Sequence, residues 1–129
     1  MEILLNGSTG AYNLDVHGPL KGRYVGTFVF RAYLTPLEYV ACDREYRDLI
    51  GKIQTQVDPL ADFLAFALVQ LKYRIVSAPA FWFDKEVMGG GSVPDRIVLE
   101  TLLEASSAVE RKYKEDILEK HSEAIDKIK

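Results

Sequence analysis

Residues 23–34 read Arg-Tyr-Val-Gly-Thr-Phe-Val-Phe-Arg-Ala-Tyr-Leu, and the alternation in this stretch decides the fold. Extended backbone turns successive side chains to opposite faces. Tyr24, Gly26, Phe28, Phe30, Ala32 and Leu34 therefore share one face, and Val25, Thr27, Val29, Arg31 and Tyr33 share the other. β-branched and aromatic residues dominate, as a pleated, half-buried surface favours, so a strand is predicted over Arg23–Leu34. Upstream, Gly7, Gly10, Gly18, Pro19 and Gly22 break up the short pieces Ile3–Leu5, Tyr12–Leu14 and Val16. These predict brief strands and turns able to partner the long strand. Two strands alone are marginal in water, so this β arm must lean on helices or on another chain.

Helices are expected to follow. In Thr35-Pro36-Leu37-Glu38, Thr35 can cap a free N–H, Pro36 suits the first helical position and Glu38 can complete a capping box. Tyr39, Cys42, Tyr46, Leu49 and Ile53 then recur at spacings of three and four, which makes one apolar stripe. Asp43 with Arg47 and Arg44 with Asp48 are acid–base pairs four apart on the other side. Asp58-Pro59 repeats the cap-then-proline start. From Leu60 to Val76 apolar residues occur nearly all round, which predicts a central helix packed on several sides; on that reading Phe66→Asp would unfold the chain. Pro79 ends it. Gly89-Gly90-Gly91 reads as a connection, and Pro94-Asp95 opens a last helix. Beyond Glu110 that helix carries balanced mixed charge, which suits an exposed face.

The chain has 129 residues, 48% of them hydrophobic, 27% charged and 11% aromatic. That suits one α+β domain over 1–129: an N-terminal β arm or hairpin over 1–34, then a three-helix part over 35–129 with a long C-terminal helix. A net charge of −3 argues against a nucleic-acid polyanion as the main ligand. Met1–Leu5 lacks the basic segment and long apolar run of a signal peptide. The greasiest stretch, Leu60–Leu71, is interrupted at Asp62 and Gln70 and falls short of a membrane span. No membrane partner is expected.

Groups that could carry chemistry are few. One cysteine excludes an intrachain disulfide and any multi-cysteine zinc site, and Cys42 reads as a reduced core residue. His17 and His121 do not complete a metal site with it, so neither metal nor cofactor is expected. Asp43 and Glu45 could do acid–base work, but beside Arg44 and Arg47 they read better as an ion-pair face. Ser106 and Ser107 lack the tight turn that exposes a nucleophile. The triple glycine lacks the Gly-Lys-Ser/Thr of a phosphate loop. The expectation is a protein without catalytic residues.

Phe81-Trp82-Phe83 is more informative, because three large rings in a row cannot all enter one core from an irregular connection. Either two rings are buried and one covers the surface, or the run anchors a protein–protein contact. The Arg23–Leu34 strand points the same way, since an edge left uncovered offers free N–H and C=O groups to a neighbouring subunit. Tyr24, Phe28, Phe30, Phe81, Trp82 and Phe83 are the candidate partner-binding residues.

The order of segments also carries a resemblance. Gly-Arg-Tyr-Val-Gly-Thr-Phe-Val-Phe (22–30) leads into Leu-Thr-Pro-Leu-Glu (34–38) and Asp-Arg-Glu-Tyr-Arg-Asp-Leu-Ile-Gly (43–51). Leu-Lys-Tyr-Arg-Ile-Val-Ser-Ala-Pro-Ala-Phe-Trp (71–82), a glycine-rich gap and Ala-Val-Glu-Arg-Lys-Tyr (108–113) follow. Over residues 22–115, mainly through the Arg-Ile-Val-x-Ala-Pro-x-Phe-Trp string, this resembles small proteins from the structural modules of tailed bacteriophages, either virion components or tail-assembly chaperones. The resemblance implies a non-enzymatic protein made in the host cytoplasm and located in the virion. Its partners would be capsid, neck or tail proteins, with many copies as a homo-oligomer or lattice. Tail-assembly chaperone is the alternative, and a small-molecule enzyme using Asp43, Arg44 and Tyr46 is a third reading.

Overall fold

The structure is a computed structural model that describes the backbone of residues 2–53, 58–83 and 95–128 and the side chains of 2–51, 58–83 and 95–122. The expected strand forms β3 (Gly22–Arg31), paired antiparallel along its whole length with β2 (Thr9–Gly18). Short β1 (Leu4–Asn6) and β4 (Ile75–Ser77) complete a sheet of order β1-β2-β3-β4. Helices α1 (Pro36–Ile53), α2 (Pro59–Arg74) and α3 (Arg96–Ile128) follow the hairpin, so the layout is α+β. A 3-10 turn at Ala80–Phe83 follows β4. The triple glycine and Pro94 lie outside the described residues.

The alternation read from the sequence holds. Tyr24, Phe28, Phe30, Ala32 and Leu34 are buried, and Val25, Thr27 and Tyr33 are exposed. Beside exposed Val25 and Tyr33, the open face carries polar groups paired across the strands. Arg23 donates to both carboxylate oxygens of Asp15, at 2.8 and 2.7 Å, and the Thr27 hydroxyl donates to Asn13 at 2.7 Å. Cross-strand pairs of this kind suit a face left in water.

The apolar face is covered by α3, whose Val98, Leu99, Leu102, Ala105 and Val109 join Leu14, Phe28 and Phe30 in the core. This helix lies so close to β2 that a Cβ at Gly10 would stand 2.8 Å from both Val109 methyls; only glycine admits the approach. The β arm thus leans on its own chain. α2 packs beside α3, sending Ala67 and Leu71 into the same core, and α1 packs on α2.

Both expected helix starts form. Glu38 N–H donates to the Thr35 hydroxyl at 3.3 Å while the Thr35 N–H donates to the Glu38 carboxylate at 3.0 Å, a capping box. Asp58 accepts from the Leu60 N–H at 3.0 Å. The reading of α2 as buried all round is corrected. It ends at Arg74, Ile75–Ser77 being strand β4, and its neighbours cover only part of its surface. Ala65, Ala67, Val69 and Leu71 are buried, whereas Leu60 and Phe66 are exposed. A charge at residue 66 would therefore meet solvent, not the core.

Candidate functional site

The candidate partner-binding residues from the sequence take up other work. Tyr24, Phe28, Phe30 and Trp82 are buried within the single chain. The 3-10 turn drives Trp82 edge-on against Phe28, with ring centroids 5.7 Å apart, and sets Phe81 5.4 Å from Tyr24 and 6.0 Å from Phe28. Such edge-to-face packing is a favourable arrangement of aromatic rings. These five rings form one internal cluster and present no docking surface as folded. Phe83 alone is exposed, at 61%.

The ionisable groups are largely occupied with one another. Asp43 pairs with Arg47 at 3.0 Å, Glu45 accepts from Lys72 and Tyr73, each at 3.0 Å, and the Tyr46 hydroxyl donates to Asp62. Arg74, buried where α1, α2 and α3 meet, donates to Gln70 at 3.0 Å and lies 3.5 Å from both Glu110 and the Tyr39 hydroxyl. Gln70 in turn donates to the sulfur of buried Cys42, whose thiol is pushed above its usual pKa by burial. Arg31 pairs with Glu38; that guanidinium, then the Thr35 N–H, holds the Glu38 carboxyl down to about 2. Asp43, Arg44 and Tyr46 do not converge on any of the described hollows. Among the described residues no group of three His, Cys, Asp or Glu could hold a metal ion, and no helix is long and apolar enough to cross a membrane.

Asp95 is a functional residue of the fold that the sequence reading took only as a helix start. It is buried and accepts from the Leu20 N–H at 2.8 Å, the Lys21 N–H at 3.0 Å and the Tyr24 hydroxyl at 2.8 Å. Burial pushes its carboxyl up, but these donors outweigh burial and leave its pKa below the ordinary value. Burial and the same hydrogen bond push the Tyr24 hydroxyl up to about 12. The β2–β3 tip is thereby fastened to the start of α3, and Gly18 must lack a side chain because a Cβ would overlap the Asp95 carboxyl.

Unsatisfied surface lies elsewhere and is apolar. Between α2 and α3 runs a groove of about 630 Å³ lined by Leu60, Phe63 and Leu103 together with Glu100 and Glu104. It adjoins a hollow of about 640 Å³ at the hairpin tip, lined by Leu20, Leu64 and Ile97 and sharing Arg96 and Glu100. Farther along α3, Ile117 and Leu118 are exposed, the latter at 66%. On α1, Leu37 and Val40 are exposed as well. Exposed apolar residues grouped on helix faces mark contact surfaces more often than isolated ones do. The groove was not legible in the sequence, because it exists only where α2 and α3 lie side by side.

No family model, curated protein or solved structure matches this chain. Its own geometry is therefore the ground for a functional reading.

Proposed function

We propose that this chain is a non-enzymatic structural protein of a tailed bacteriophage particle, joining or stabilising a capsid, neck or tail lattice through protein–protein contacts. The observation that carries the contact part of this reading is the division of the surface. Ionisable side chains are mostly spent on one another, while Leu60, Phe66, Phe83, Ile117 and Leu118 are left exposed. A surface of this kind favours burial against another polypeptide over chemistry on a small molecule. The phage setting is supported by the segment order described above, and the partners in it are capsid, neck or tail proteins and further copies of the chain. An enzyme using Asp43, Arg44 and Tyr46 is disfavoured by the engagement of Asp43 with Arg47 and of Tyr46 with Asp62.

The projecting end of α3 favours one second reading, a tail-assembly chaperone that binds a long tail protein and leaves before the virion matures. Mass spectrometry of purified particles separates the two. The chain is expected among the virion proteins at a stoichiometry set by the lattice. Its absence from mature virions would overturn the leading reading, and a slippery frameshift sequence near the end of the gene would then favour the chaperone.

A further inference from the structure

We propose that the C-terminal part of α3 is an arm that docks in the α2/α3 groove of a second copy of the chain, a head-to-tail contact that repeats from copy to copy. Three observations lead there. The first is shape. Among the described side chains, the last anchor of α3 on its own domain is the turn around Lys112 and Tyr113: Lys112 donates to the Ile3 carbonyl at 2.8 Å, and the Tyr113 ring stacks on Tyr33. The helix nonetheless continues to Ile128, which at 1.5 Å per residue adds about 22 Å. Among the described residues 114–122, ion pairs run only within the helix, Lys114 with Glu110 and Lys120 with Asp116. Ile117 and Leu118 stay exposed there, an adjacent apolar pair without cover.

The second observation is chemical fit. Lys114, Ile117, Leu118 and His121 follow the i, i+3, i+4, i+7 spacing of one helix face. Arg111 lies in line with Leu118, two turns before it, so the apolar pair is bordered by Arg111 and Lys114. Glu119, two residues from Ile117, falls on the opposite side, whereas Glu115, three residues before Leu118, flanks it beside Arg111. The groove is the complement: apolar Leu60, Phe63 and Leu103 line it together with Glu100, Glu104 and Arg96, so its charged lining is acidic on balance. Glu100 lies 3.5 Å from Arg96, whereas Glu104 has no ion-pair partner among the described residues. A volume of about 630 Å³ takes a few large side chains from one helix face, not a whole helix.

The third is connectivity. Arm and groove wall belong to the same continuous helix: Glu100, Leu103, Glu104 and Ser107 line the groove, and Ile117 and Leu118 lie farther along the same rod. A straight helix cannot fold back on its own flank, so the arm can reach only the groove of another copy. The two surfaces differ, so the contact is heterologous and generates rings or filaments rather than a closed pair. This deepens the contact reading by naming the partner, yet it fails separately. Particles lacking the chain would remove the proposed setting and leave self-association intact.

Sedimentation equilibrium of the full chain and two double variants tests it. The arm variant carries Ile117→Glu and Leu118→Glu, the groove variant Leu60→Glu and Glu104→Lys; all four sites are solvent-exposed. Unchanged denaturation midpoints serve as the folding control, and Glu104→Lys alone replaces the groove pair if that pair unfolds. The wild-type chain is expected to form concentration-dependent oligomers, and each variant to weaken its own association about tenfold or more. Mixed together, the two variants should form a heterodimer, since one keeps a working groove and the other a working arm. A wild-type chain that stays monomeric overturns the proposal. So does loss of association in the arm variant alone, which means arm-to-arm pairing, or a mixture no larger than its components. A monomeric chain whose arm instead sediments with phosphatidylserine vesicles also overturns it, in favour of a lipid surface.

Discussion

Arg96–Tyr113 and Lys114–Ile128 are two parts of one helix under opposite physical conditions. In the first part every third or fourth residue is buried: Val98, Leu102, Ala105 and Val109 are fully covered by the sheet. In the second, the spacing of that stripe falls on Asp116 and Lys120, while Ile117 and Leu118 lie about 90° and 170° round the helix from it and meet solvent. The apolar stripe therefore serves folding where the chain has a sheet to lay it on and gives way to charge where the sheet has ended, while a separate apolar pair on another side of the rod is left uncovered. Apolar spacing identifies an amphipathic helix but says nothing of whether its cover is internal.

Substitutions in the packed region should break that contrast most strongly. Trp82→Ala removes the ring that closes on Phe28 and should cost about 3–5 kcal/mol of stability in urea unfolding. A folded, equally stable variant that fails only to associate would return Trp82 to a docking role. Leu102→Ala should cost about 2–5 kcal/mol, whereas Leu118→Ala should stay within about 0.5 kcal/mol, as exposed substitutions do.

Smaller effects should come from the tip fastening and the ion pairs. Gly18→Ala pushes a methyl into the Asp95 carboxyl and should release the β2–β3 tip, read as faster amide exchange at Leu20 and Lys21 than in the parent chain. Unchanged protection would mean that the tip is held by something else. Acid should act through the carboxyls with lowered pKa. Glu38 is held at about 2 in the folded chain against an ordinary 4.5, and Asp95 and Asp15 are also lowered. A folded value below the unfolded one gives stability that is present in full above the unfolded pKa. The Glu38 contribution should therefore be lost progressively as pH falls from about 4.5 towards 2. Glu38→Gln should flatten part of that slope in denaturant melts, and an unchanged slope would assign the loss to the other carboxyls.

How much of this was legible in the sequence follows from the range of the forces involved. The β3 alternation, the Thr35–Glu38 box and the Asp58 cap depend on neighbours within a few residues, and the structure forms all three. Long-range placement was not legible. Ile75-Val76 continued the apolar run of α2, but pairing with Val29 and Phe30 draws the segment into the sheet as β4. Trp82 is buried because a 3-10 turn, with about three residues per revolution, sends it inward and its neighbour Phe83 outward. Asp95 meets its donors 71 to 75 positions away in sequence, so no local pattern announces them. Leu60 and Phe66 looked central because the all-round apolar pattern of α2 does not show which sides α1 and α3 will cover.

Hydrogen exchange of the full chain followed by mass spectrometry, over a series of protein concentrations, tests the account most directly. It predicts that amides of 96–113 are strongly protected at every concentration. Those of 114–128 should exchange quickly in dilute solution and slow as concentration rises, together with the groove segments around Leu60 and Glu104. Protection of the arm that is independent of concentration, or that rises without any change at the groove, would contradict it.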